Sequence, residues 1–256
     1  MRAKAVAVLT ICACVAFCAS ADKKAQKARE KDPKYQYNLG LFYLNQSNVD
    51  EAIKYFNKSL SLDPRFYQAW NMLGLAHASK GHLDESVKAY KKCLEINPQY
   101  SEVHNNLGTV YQEMGQYDNA EASYRAALAD MTYANRESPL YNLARLNVLQ
   151  NRLDEALDNI QKAIQFKPRF AMAHDLRGLI QERLNNLPEA IASYEAAVKL
   201  VPEEVPFNYH LAVAHFKAGN YPKAKEIFLK ISGQVTDQAS KDAITGYLKQ
   251  IRDKGF

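Results

Sequence analysis

The sequence predicts an all-α chain: six helix–turn–helix repeats in a row, closed by one further helix. Three observations predict it. Leu39-Gly40 returns as Leu73-Gly74 and Leu107-Gly108 with a step of 34 residues, and Arg177-Gly178 and Leu211-Ala212 are separated by the same step. Prolines keep the same time: Pro64 to Pro98 and Pro168 to Pro202 are each 34 apart, while Pro98 to Pro168 is 70, which puts a two-residue insertion in the third repeat. A period of this size marks one supersecondary unit that packs only on its neighbours. Finally, Ile244, Tyr247, Leu248 and Ile251 fall at i, i+3, i+4 and i+7, the apolar stripe of an amphipathic helix. That helix covers the open end of the last repeat, as a solenoid requires.

Ahead of the array stands a leader. Met1-Arg2-Ala3-Lys4 is a basic start, Ala5 to Phe17 carries no charge, and Cys18-Ala19-Ser20-Ala21 turns small and polar before Asp22-Lys23-Lys24. This pattern reads as a signal peptide over 1–21, too short to span a bilayer. Two processing outcomes fit it: cleavage before Asp22, or lipidation of Cys18 as the first residue of a lipoprotein. With Cys18 as the anchor, Ala19 behind it implies the outer membrane, and a lipid chain would be the only link to a membrane. Residues 22–32 read as a charged tether.

Composition narrows the function classes. The formal charge of +5 falls to +3 once Arg2 and Lys4 leave with the leader, too little to argue for nucleic acid. Cys12, Cys14 and Cys18 lie in the leader, so Cys93 stands alone in the body and no disulfide can form there.

The repeats run 33–66, 67–100, 101–136, 137–170, 171–204 and 205–236, and 237–256 forms the capping helix and tail. Small residues recur at position 8 (Gly40, Gly74, Gly108, Ala144, Gly178, Ala212) and position 20 (Ala52, Ala120, Ala156, Ala190, Ala224). Aromatic residues recur at position 24 (Phe56, Tyr90, Tyr124, Tyr194, Phe228) and Tyr at position 11 (Tyr43, Tyr111). Small positions let paired helices approach; bulky positions 4, 7, 11 and 24 fill the space between them. Pro near position 32 ends the second helix in four repeats (Pro64, Pro98, Pro168, Pro202). These residues resemble the tetratricopeptide repeat (TPR), which implies a right-handed superhelix.

The histidines follow the repeat and not a catalytic or metal pattern. His77 and His215 take the Tyr slot at position 11; His104 and His174 take position 4, where repeat 2 has Trp70. Cys93 takes position 27, a small buried slot. No metal, cofactor or nucleophile motif is present in the sequence, so the expected class is a non-enzymatic binding scaffold. In TPR superhelices the inner groove is lined from the first helix of each repeat. That resemblance nominates Tyr37, Tyr141 and Tyr209 with Asn71 and Asn105 at position 5, and Asn38, Asn106 and Asn142 at position 6. Arg145 at position 9, Gln112 at position 12 and Arg183 at position 13 complete the set. A side-chain amide both donates to and accepts from a peptide unit, so an asparagine row can hold an extended chain.

The leader ending in Cys18-Ala19-Ser20, the six repeats, and the stretch Ala127-Leu128-Ala129-Asp130-Met131-Thr132-Tyr133-Ala134 resemble the PilF/PilW type IV pilus biogenesis lipoproteins. Tyr133-Ala134 matches that family; Met131-Thr132 replaces a pair that often carries proline, and Phe17 precedes Cys18 where a small residue is usual. The resemblance implies an outer-membrane pilotin that helps a secretin assemble. A periplasmic adaptor for another envelope complex, such as polysaccharide export or cell-wall machinery, is the alternative.

Overall fold

The computed structural model describes Gln26 and residues 28–256. The leader, with Cys18 and the bond before Asp22, lies outside the described residues. From Pro33 onward the chain is helical throughout, in thirteen helices: α1 Pro33–Asn45, α2 Val49–Leu62, α3 Tyr67–Ser79, α4 Leu83–Ile96, α5 Ser101–Glu113, α6 Tyr117–Ala129, α7 Glu137–Leu149, α8 Leu153–Phe166, α9 Ala171–Arg183, α10 Leu187–Leu200, α11 Val205–Lys217, α12 Tyr221–Ser232 and α13 Gln238–Asp253. Among the described residues there is no strand. Two compact units divide the chain between Ser123 and Tyr124, and α6 carries that boundary.

Each first helix ends by the same device. Position 15 of every repeat has a positive φ: Ser47 (59°), Gly81 (73°), Gly115 (73°), Asn151 (58°), Asn185 (61°) and Gly219 (77°). That left-handed residue turns the chain so that the next N–H reaches back, as His82 N does to His77 O at 3.0 Å and Arg152 N to Asn147 O at 2.8 Å. Orphan carbonyls at the helix end are thereby satisfied. The second helices start on caps and charge: Asn48 Oδ1 accepts from Glu51 N and Asn220 Oδ1 from Lys223 N, and Asp50-Glu51, Asp84-Glu85 and Asp154-Glu155 occupy first turns, where the helix dipole favours acids.

Within a repeat, position 8 and position 24 are one joint. A Cβ built on Gly40 would lie 2.4 Å from the Phe56 ring, on Gly74 2.6 Å from Tyr90, and on Gly178 2.5 Å from Tyr194. Those rings are buried. Where the partner is Ile160, also buried, position 8 is Ala144. First helices pack on their own second helices (α1 on α2, α3 on α4, α7 on α8, α9 on α10, α11 on α12), and second helices pack on the next first helix, as α2 on α3 and α8 on α9.

Position 4 is more than bulk. Its side chain donates a hydrogen bond to the carbonyl six residues upstream, in the segment that leads into the repeat: Gln36 to Glu30 O (2.8 Å), Trp70 Nε1 to Pro64 O (2.9 Å), His104 Nε2 to Pro98 O (2.8 Å), His174 Nε2 to Pro168 O (2.9 Å) and Asn208 to Pro202 O (2.8 Å). A carbonyl only accepts, so Nε2 carries the proton in both histidines. Four chemically unlike side chains share the slot because each has an N–H at the right reach. Repeat 4 has Leu140 there, and Arg136 takes over, donating from Nη1 to Asp130 O at 2.8 Å.

One sequence expectation is corrected. Tyr43, assigned to the core by its repeat position, is half-buried and stacks on Tyr55 with centroids 5.2 Å apart. Position 11 faces the second helix of the preceding repeat: Tyr111 meets Lys91 of α4, and His215 lies near Glu195 of α10. Tyr43 instead stacks within its own repeat, on Tyr55 of α2, and ahead of α1 the described residues 28–30 are helical. At the other end α13 closes the core, with Ile244 and Ile251 buried against Phe228 and Ile231 and Tyr247 stacked on Phe228 at 5.0 Å. Burying each isoleucine contributes about 1.5–3 kcal/mol.

Candidate peptide-binding face

The nominated residues all sit on first helices, and successive first helices touch within each unit: α1 with α3, α3 with α5, and α7 with α9. Their side chains fall into three states. Tyr37 and Tyr141 are half-buried, each ring packed on the aromatic residue at position 34 of its own repeat: Tyr37 on Phe66 at 5.0 Å and Tyr141 on Phe170 at 5.1 Å. Burial raises both phenol pKa values, helped by the nearby acids Glu102 for Tyr37 and Asp175 for Tyr141. Asn71 makes the same position-5 to position-34 contact with polar groups, its amide donating to the Tyr100 hydroxyl at 3.5 Å. It is fully buried, and its Oδ1 has no hydrogen-bond partner. Burial pushes the Tyr100 hydroxyl up to about 12, so it stays protonated.

The second state is solvent-reaching. Asn38 and Arg145 are exposed, and Asn105, Asn106, Gln112 and Asn142 are partly exposed. The Arg145 guanidinium lies 5.9 Å from the Tyr141 ring centroid, a cation held over an aromatic face. The third state is structural. Arg183 Nη1 donates to Val148 O at 3.1 Å, tying α9 to α7. The Tyr209 ring packs 6.1 Å from Phe228 and 6.4 Å from Tyr247 of the capping helix.

The same face contains residues the sequence reading passed over. Asp175, at position 5, accepts from His210 Nδ1 of the next repeat at 2.8 Å. Glu182, at position 12, accepts from the Tyr194 hydroxyl at 3.1 Å and pairs with Lys217. Asp175 occupies the position that nominated Tyr and Asn, and Glu182 the position that nominated Gln112, so the signal for both was the position. Phe66, Tyr100 and Phe170 recur at position 34 and could have been found the same way.

The cysteine and two of the histidines are shaped by burial. Cys93 is buried, its thiol donating to Tyr67 O at 3.1 Å just as Ser59 Oγ donates to Pro33 O at 2.7 Å in repeat 1. Burial pushes that thiol up to about 12, far from a reactive thiolate. Burial lowers the pKa of His77 and His215. Among the described residues no three His, Cys, Asp or Glu side chains gather as metal ligands, and no helix is long and apolar enough to cross a membrane.

Tetratricopeptide-repeat models match residues 33–66, 74–115, 99–169 and 176–237. The chain is a tetratricopeptide-repeat protein. Its TPR fold is similar to that of PilF of Pseudomonas aeruginosa (TM-score 0.75, 16% identity, covering 86% of this chain and 99% of that one). It is also similar to PilW, a widely conserved type IV pilus biogenesis factor (TM-score 0.76, 17% identity, 83% and 98%). YrrB, a TPR protein with an unusual peptide-binding site, is a further structural neighbour (TM-score 0.58, 20% identity, 75% and 97%). No curated protein matches the chain by sequence. A TPR array of this kind is a scaffold for protein–protein interaction, a fold not typically enzymatic.

Proposed function

We propose that this TPR protein is an exported scaffold of type IV pilus biogenesis, a pilotin-like factor that holds a secretin segment on its first-helix faces. The observation that carries this reading is end-to-end coverage: the chain accounts for 99% of PilF and 98% of PilW, so it shares their whole repeat count and not a fragment of it. The chemistry of the face suits the role. Asn38, Asn106 and Asn142 offer amides for a peptide backbone. Tyr37, Tyr141 and Arg145 offer flat surfaces for its side chains.

Export rests on the leader: cleavage before Asp22 would release the protein, and lipidation of Cys18 would tether it to the outer membrane. Mass spectrometry of the mature N-terminus distinguishes these. For the pilus role, deleting the gene should abolish secretin multimers and surface pili. Intact multimers and pili, with crosslinking that captures polysaccharide-export or cell-wall proteins, would replace this reading with the envelope-adaptor one.

A further inference from the structure

A second site lies away from the first-helix face. Between α6 and α8, floored by α7, is a cavity of about 430 Å³ lined by Arg125, Arg136 and Lys162 over Leu140 and Leu143, with Phe166 at its edge. Three cations reach it from three segments, and no carboxylate is in its lining. Phe166 is 55% exposed, an unusual state for a large aromatic. One of the three cations, Lys162, also pairs with Asp158 at 2.6 Å at the open surface, and Asp130 Oδ1 accepts from the N–H and hydroxyl of Thr132 at 2.8 and 2.7 Å.

The irregular repeat builds this cavity. Elsewhere four residues link a second helix to the next first helix, as Lys167 to Phe170 do; between α6 and α7 there are seven, from Asp130 to Arg136. The longer linker brings Arg136 over the Phe166 ring at 5.3 Å. Its Nε–H is buried with no acceptor in the protein, although one guanidinium nitrogen already caps Asp130 O. A buried donor left unmatched is costly; the part of the guanidinium that lines the cavity is the natural complement of an anion.

We infer that this cavity is a binding site for an acidic segment of a protein partner, one that carries an apolar side chain among its carboxylates. The cations receive the carboxylates. The Leu140–Leu143 floor and the Phe166 ring receive the apolar side chain, which a free inorganic anion would leave unused.

The test uses the full mature chain and a fluorescein-labelled peptide, Asp-Glu-Leu-Phe-Glu-Asp, followed by fluorescence anisotropy. Binding is expected, weakening as salt rises. The Arg125→Glu/Lys162→Glu variant changes only exposed side chains. It should bind at least tenfold more weakly with an unchanged melting temperature. Asn106→Ala/Asn142→Ala, on the first-helix face, should leave the affinity as it was; this separates the site from the pilus reading. Failure to bind at millimolar peptide overturns the inference. So does equal binding of the Asn-Gln-Leu-Phe-Gln-Asn peptide, full competition by inorganic phosphate, or indifference to the charge reversal.

Discussion

The junction between repeats 4 and 5 and the junction between repeats 3 and 4 meet the same need in different ways. At Lys167 to Phe170 a short linker carrying Pro168 follows the helix that ends at Phe166, and His174 donates to the proline carbonyl from one turn into the next helix. At Asp130 to Arg136 the proline is missing, the position-4 residue is Leu140, and a guanidinium from the linker itself supplies the N–H. The regular junction uses an imidazole donor whose other ring nitrogen, Nδ1, is buried without a partner. The irregular one brings a charged, multidentate donor that also lines a cavity. A linker carbonyl finds a side-chain donor in either case; the choice of donor decides whether the junction is only a joint or also a site.

Four measurements break or sharpen that contrast. The largest effect belongs to the packing that both kinds of repeat share. Gly74→Val puts carbon into the Tyr90 ring, 2.6 Å from the position of a Cβ, and should cost about 1–3 kcal/mol or more by overpacking. An unchanged denaturation midpoint would contradict the joint between positions 8 and 24. Arg136→Ala at the irregular junction removes a charged hydrogen bond and a cation–aromatic contact, with an expected loss of about 2 kcal/mol in urea unfolding. His174→Phe at the regular junction keeps an aromatic side chain and removes the cap together with the unpartnered Nδ1, with an expected loss of about 1 kcal/mol. Equal losses for these two variants would erase the distinction between the junctions.

The smallest effect is one of pH. His215 is buried at position 11, its Nε2 4.0 Å from Glu195 and without a hydrogen bond, and burial depresses its pKa. Above the ordinary histidine pKa of about 6.5 it is neutral in both folded and unfolded chains and contributes no pH dependence. As pH falls below that value the unfolded chain takes up the proton first, so stability drops until the folded-state pKa is reached. His215→Tyr should flatten the melting temperature between pH 7 and pH 5 relative to the parent.

Much of the fold was legible because a solenoid repeats its constraints. Gly40, Gly74 and Gly178 share a step with Phe56, Tyr90 and Tyr194, and the pairing across that step is local in sequence. Position 4 was only half legible. Trp70, His104 and His174 look like bulk, and the common factor, an N–H aimed at a carbonyl six residues back, appears once the backbone between them is bent. The candidate site was legible as positions and not as states. Asn71 and Asn105 are both asparagines at position 5, yet Asn71 is fully buried against Tyr100 while Asn105 is partly exposed. What stands at position 34 and in the next repeat decides that difference.

By itself the sequence determined the helical array, its period, the place of the insertion and the repeat slots that Cys93 and four of the histidines fill. These follow from residue sizes and spacings within one or two turns, which short-range sterics dictate. Tertiary structure alone decided which polar side chains are consumed by the fold and which reach solvent. It also decided that Arg125, Arg136 and Lys162, from three separate segments, converge on one cavity. Convergence of that kind depends on how successive helices stack, and a one-dimensional period carries no record of it.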